Sequence, residues 1–340
     1  MVKINSLLAA SALGLSVLAH PTIKHDNRGF CPLDERAVLK RDGALSSRAT
    51  IPKATTWNPP SNMVTALDQV RQYKKINNSP TYLHPRQVWT QTMKENPDGL
   101  KDKNWITDQL VANKGNINYC VRWNHKGKST AADRASTVTA LQRSLQKWVD
   151  VLAGFDGFPI TKANVTVVGY AVKDKSLIQG DTSGLDIYTT VDGDGVPECD
   201  VRCYRGAHLD GDLSQCPGGE DSRYDISLWL DESLEGQMGG YGYNWGQEIG
   251  PDYFLENINN DNIHILLHEM GHGFGLLGTF SFVLQFHTVD LLTLLADFYT
   301  WVPSGQSSFI MMAGSAMEIT EFDAWMLRDW YRKLKSERNW

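Results

Sequence analysis

The side chains best suited to chemistry in this chain lie within five consecutive residues, His268-Glu269-Met270-Gly271-His272. On a helix, residues four apart stand one turn above each other on the same face. Two imidazoles so placed can reach one zinc ion (Zn2+). Catalytic zinc takes nitrogen ligands in a tetrahedron and keeps one position open. Glu269 follows the first histidine directly, where it can face a metal-bound water and take its proton as general base. The flanks favour this reading over chance. Ile263-His264-Ile265-Leu266-Leu267 is apolar and helix-compatible, and Gly273-Phe274-Gly275 follows the second histidine.

A coarse reading of the elements that must hold this helix gives an α+β layout. Residues 117–123 alternate like a strand, and 165–172 and 224–230 read as two more. Thr130 to Leu152 reads as a long amphipathic helix, with Val138, Leu141, Leu145, Trp148 and Leu152 at helical spacing. Residues 175–220 look like loops and short strands pinned by cysteines, and 236–250 like a glycine-rich loop. Asp261 to Gly273 is the expected metal helix, ended by glycines. Thr320 to Lys335 is a closing helix, and Thr320-Glu321-Phe322-Asp323 resembles a capping box. Trp325 and Trp330 on that helix are expected in the core. The strand at 224–230 is a candidate edge on which an extended substrate could pair.

The N-terminus points outside the cell. Lys3 and the apolar run Leu7 to Leu18 read as a secretory signal, residues 1–19, too short to span a bilayer. Residues 20–52 are polar and contain the dibasic pair Lys40-Arg41, which fits a propeptide; residues 53–340 then form one catalytic domain. Loss of that segment removes Cys31 and leaves Cys120, Cys199, Cys203 and Cys216, an even number suited to two disulfides. Three pairings exist. A local bridge within Cys199, Cys203 and Cys216, with Cys120 taking the third, is the arrangement expected. Cys31 is either an unpaired propeptide thiol or a latency thiolate for the open zinc position. Asn77-Asn78-Ser79 and Asn164-Val165-Thr166 are glycan acceptor sequons.

The net charge of −6 and the lack of a basic cluster argue against a nucleic-acid partner, and no second long apolar run argues for a membrane. Asp192-Gly193-Asp194-Gly195 could suggest calcium, but the twelfth position of such a loop is Cys203 rather than a carboxylate, so a solvated turn is expected.

The third zinc ligand decides the subclass. The sequence His272-Gly273-Phe274-Gly275-Leu276-Leu277-Gly278 follows the metzincin pattern H-E-x-x-H-x-x-G-x-x-H/D until Gly278, which has no side chain to offer. His287, Asp290 and Asp297 are the candidates that remain. From Cys199 onward the chain resembles a family of secreted zincins of filamentous fungi and some soil bacteria. Some members are labelled neutral zinc metallopeptidase and others cellulose-binding. The resemblance rests on Ser214-Gln215-Cys216-Pro217-Gly218-Gly219, Tyr224 to Leu230, Asn244-Trp245-Gly246-Gln247, Asn262 to Gly275, Asp297-Phe298-Tyr299, Phe309 to Ala316 and Ile319 to Tyr331. It implies a zincin/metzincin-like fold: a twisted mixed sheet, a long helix, the zinc helix and a C-terminal helix. It implies Asp297 as third ligand, displaced by Gly278 to Ala296, nineteen residues that the family pattern lacks. The reading frame resumes cleanly after them. That suits intron sequence retained in the gene model better than an inserted helix with Leu284, Leu291, Leu292 and Leu295 on one side. The resemblance also makes Met311-Met312-Ala313-Gly314 a methionine turn beneath the metal, with Tyr299 a weak candidate donor to the transition state. The function expected is zinc-dependent hydrolysis of protein or peptide substrates by a secreted, monomeric enzyme. The alternatives are a carbohydrate- or surface-binding protein, with tryptophans such as Trp245 stacking on polysaccharide, and an inactive relative.

Overall fold

A computed structural model describes residues 31–32, 51–67, 88–277, 303–312 and 315–340. The signal segment, the Lys40-Arg41 pair, the sequon at Asn77, the candidates His287, Asp290, Asp297 and Tyr299, and all of 278–296 lie outside the described residues.

The architecture is mixed α/β, built on a mostly parallel sheet. Its strands are β1 (Cys31–Pro32), β2 (Asn116–Asn124), β3 (Asn164–Val172), β4 (Asp186–Tyr188), β5 (Ile226–Asp231), β6 (Gly239–Tyr243) and β7 (Gly246–Ile249). They stand in the order β1-β6-β7-β5-β2-β3-β4. Pairs β7–β5, β5–β2, β2–β3 and β3–β4 are parallel, whereas β6 runs antiparallel to both β7 and β1. The helices are α1 (Ser61–Leu67), α2 (Val88–Glu95), α3 (Ile106–Ala112), α4 (Ala131–Leu152), α5 (Pro251–Asn257), α6 (His264–Gly273) and α7 (Glu321–Arg338).

The strands expected at 117–123 and 165–172 and the helix from Thr130 form with ends shifted by a residue or so. Thr130 caps α4 by accepting from Asp133 N, and Asp133 answers from the third helical position. The crossover β2–α4–β3 lays α4 against the sheet, where Leu141, Leu145, Trp148 and Leu152 are all fully buried. Two expectations are corrected. Residues 236–250 hold the hairpin β6–β7 rather than a loop, with Asn244 and Trp245 turning the chain between the two strands. The strand at 224–230 is β5, and it is interior, flanked by β2 and β7; its ladder is already complete and cannot take up a substrate. The antiparallel side of the sheet is carried instead by β6, with β1 beyond it.

The other face of the sheet is covered by the long segment between β3 and β5. Disulfides Cys120–Cys199 and Cys203–Cys216 hold it, one joining that segment to β2 and one closing it locally, in the pattern expected from the spacing. Asp192 also ties it down. One of its oxygens accepts from Asp194 N and Val196 N, and the other pairs at 2.5 Å with Arg122, buried on β2. The Asp-Gly turn is therefore structural. Trp325 and Trp330 lie in the core, 4% and 3% exposed. Among the described residues no helix is long and apolar enough to cross a membrane, and two disulfides fit an oxidising compartment.

Candidate metal centre

Helix α6 is buried on almost every side, which its apolar run dictates: Ile265, Leu266, Leu267 and Met270 are each at most 1% exposed. The helix stops because Gly275 takes a left-handed φ of +97°, open to glycine at little cost. A side chain there would also strike the Trp330 indole. Leu276 N then bonds back to Gly271 O, and the reversed chain delivers Leu276 O to His272 Nδ1 at 2.8 Å.

His268 is held from elsewhere. Its Nδ1 meets Ile310 O at 2.7 Å. A carbonyl oxygen can only accept, so each Nδ1 must carry the ring proton. Both Nε2 atoms are then bare lone pairs, and they face each other at 3.2 Å. Two ligands about 2.0–2.1 Å from one tetrahedral zinc stand about 3.3–3.4 Å apart. Glu269 is fully buried beside them, its Oε2 3.9 Å from His272 Nε2, and the ligand atoms of all three residues lie within 4.8 Å of one another. Burial presses the His268 pKa down to about 4, against the opposing pull of the Ile310 carbonyl. The ring is therefore neutral at pH 7, the form that binds metal. The donor set, its tautomers and its spacing all fit zinc.

Of the methionine turn expected at Met311-Met312-Ala313-Gly314, Met311 lies against the helix, while Ala313 and Gly314 lie outside the described residues. A Cβ at Gly271 would strike Met311 Sδ and come within 3.1 Å of Trp148, so glycine at 271 lets both press against the helix. Trp148 Nε1 donates to Leu267 O at 3.0 Å. The expectations for 320–323 missed one role. Asp323 completes a capping box with Thr320, and its carboxylate also accepts from Ile310 N at 2.8 Å and Met311 N at 3.1 Å. It thereby fixes the carbonyl that holds His268. Burial raises the Asp323 pKa to about 6, opposed by the bonds it accepts, first that from Ile310. The only sequence sign of this was an Asp, rather than Glu, in the third position of the helix.

On the other side of α6 lies β6. A Cβ at Gly242 would run into Glu269 O and stand 2.6 Å from His272 Cβ; one at Gly240 would stand 3.1 Å from Glu269 Cγ. These glycines set how closely strand and helix approach. Gly242→Ala is expected to cost about 1–3 kcal/mol by overpacking and to weaken zinc binding, checked by thermal unfolding and by zinc titration of the same sample. Unchanged stability would mean the contact relaxes freely. The residue opposite Gly240 in the β1–β6 ladder is Cys31.

No family model, curated protein or solved structure matches the chain. The functional reading therefore stands on its residues and their geometry.

Proposed function

We propose that the chain is a secreted zinc-dependent peptidase with a zincin/metzincin-like fold. The observation that carries the proposal is the pair of Nε2 lone pairs 3.2 Å apart with Glu269 between the two histidines in sequence. His268 and His272 would hold the ion, with Asp297 as the third ligand, as the sequence resemblance implies. Zinc bound there would supply a Lewis acid for the water and for the scissile carbonyl. The protein's own part is to hold both rings by their Nδ1 protons, to keep His268 neutral, and to accept the water's proton on Glu269. The order of long helix, strands, metal helix and closing helix supports this fold reading.

The β1–β6 ladder supports a latent form. In it, Cys31 and Pro32 pair with Gly240 and Gly239 of the strand where an extended peptide substrate would pair. A second reading, polysaccharide contact, is favoured by the stacked row of Tyr241, Tyr243 and Trp245, with centroids 6.4 and 4.5 Å apart. Expression with and without Gly278–Ala296 separates these readings. Zinc content, hydrolysis of a general protein substrate and cellulose pull-down are read on both forms. Zinc-dependent hydrolysis by the shortened form supports the peptidase. Hydrolysis by both forms supports it with Asp297 or His287 reaching the metal around the insert. Cellulose retention with no hydrolysis by either form overturns it.

A further inference from the structure

A second group of ligand-type side chains lies at the carboxyl ends of the parallel strands. His125 directly follows β2, Glu235 closes the 3-10 turn after β5, and Asp252 sits in the first turn of α5 after β7. These three strands are neighbours in the sheet. Ligands in open α/β sheets gather outside such strand ends. One ligand atom from each residue lies within 4.8 Å of the others. Two ligands about 2.1 Å from one ion stand at most about 4.2 Å apart, so a small side-chain rotation brings all three onto a single cation.

The ring of His125 is seated rather than loose. It lies 5.7 Å from the Trp123 ring. Any Cβ at Gly127 would stand 2.5 Å from His125 Cε1. Its Nε2 is 3.5 Å from Glu235 Oε1, so this nitrogen faces the carboxylates of the cluster. The other, Nδ1, is buried with no hydrogen-bond partner among the described residues, which ordinary structural histidines avoid. Lys126 Nζ also reaches Glu235, at 3.2 Å, but that side chain is 71% exposed. Exposed pairs of this kind contribute little and give way readily. Asp252 adds a second carboxylate, so the cluster has charge left for a cation. One imidazole with two carboxylates suits zinc or a neighbouring transition ion, whereas magnesium and calcium prefer all-oxygen shells.

We propose that His125, Glu235 and Asp252 form a second divalent-metal site, separate from the His268 centre. The test reloads chelator-stripped protein with zinc and measures zinc per chain after gel filtration. The wild type, His125→Ala, Asp252→Asn and His268→Ala are compared, each with an assay of protein hydrolysis. Asp252 is exposed, so its amide variant keeps the fold even where His125→Ala loosens the packing on Trp123. The expected result is about two equivalents in the wild type and about one in each single variant, with hydrolysis kept in His125→Ala and Asp252→Asn. If the wild type holds about one equivalent, lost with His268→Ala and retained with His125→Ala, the second site is overturned and the peptidase reading stands. If the single equivalent depends on His125 and Asp252 and not on His268, the second site stands and the peptidase reading falls. Zinc content that is the same in all four proteins overturns the proposal.

Discussion

Glu269→Gln is expected to keep zinc and lose hydrolysis, by about 10²–10⁴-fold in kcat/KM, the range for removing a positioned general base. Glutamine fills the same buried space beside His272, so the packing against β6 is retained. In the proposed site the metal would be held by His268 and His272, whose rings are latched by Ile310 O and Leu276 O. What the substitution removes is the acceptor for the water's proton. A carboxylate fully buried and 3.9 Å from a histidine Nε2 is unfavourable unless a cation or a proton is shared in the site. The neutral amide therefore leaves stability unchanged or slightly raised. Zinc per protein and cleavage of a quenched peptide are measured on one preparation. Unchanged cleavage would remove Glu269 from the mechanism. Joint loss of zinc and cleavage would make it a structural residue.

The motif and its helix were readable because the information is local. Four-residue spacing, an apolar run and terminal glycines each act within one turn. The long helix from Thr130 and the closing helix from Thr320 were readable for the same reason, since each carries a capping box next to a periodic apolar face. Strand order was not readable. The run at 224–230 alternates, with Tyr224, Ile226, Leu228 and Leu230 on one face and Asp225, Ser227 and Trp229 on the other, a pattern that an edge strand shares with this interior one. The real antiparallel strand, β6, consists only of glycine and tyrosine. Its glycines are there because α6 lies against them, a cause that becomes visible only once helix and strand are packed. The disulfides show the intermediate case, in which parity gave their number and spacing narrowed their partners.

Asp323→Ala is expected to reach the metal through Ile310, without contact to either histidine. The Asp323 carboxylate accepts from four donors, Ile310 N, Met311 N, Thr320 N and Thr320 Oγ1. Alanine leaves the two backbone groups under α6 buried without partners, which costs about 1–3 kcal/mol for each such group. The Ile310 carbonyl then loses its fixed position and His268 its orienting partner. Loss of such an outer partner lowers metal affinity by about 10–100-fold. The sign of the pH dependence distinguishes this from a simple packing defect. The folded pKa stands at about 6, above the ordinary 3.8, so the folded state binds the proton more tightly than the unfolded chain. Asp323 therefore contributes most below pH 4, and its contribution falls as the pH rises from about 4 to about 6, by roughly 3 kcal/mol for a shift of this size. Denaturant unfolding of wild type and Asp323→Ala between pH 4 and pH 7 should show the largest difference at the acid end, together with weaker zinc binding at pH 7. A difference independent of pH would mean that Asp323 ionises as freely in the folded chain as in the unfolded one. Undiminished zinc affinity would mean that Ile310 is held without it, by the Ser315 hydroxyl that bonds Phe309 one residue before.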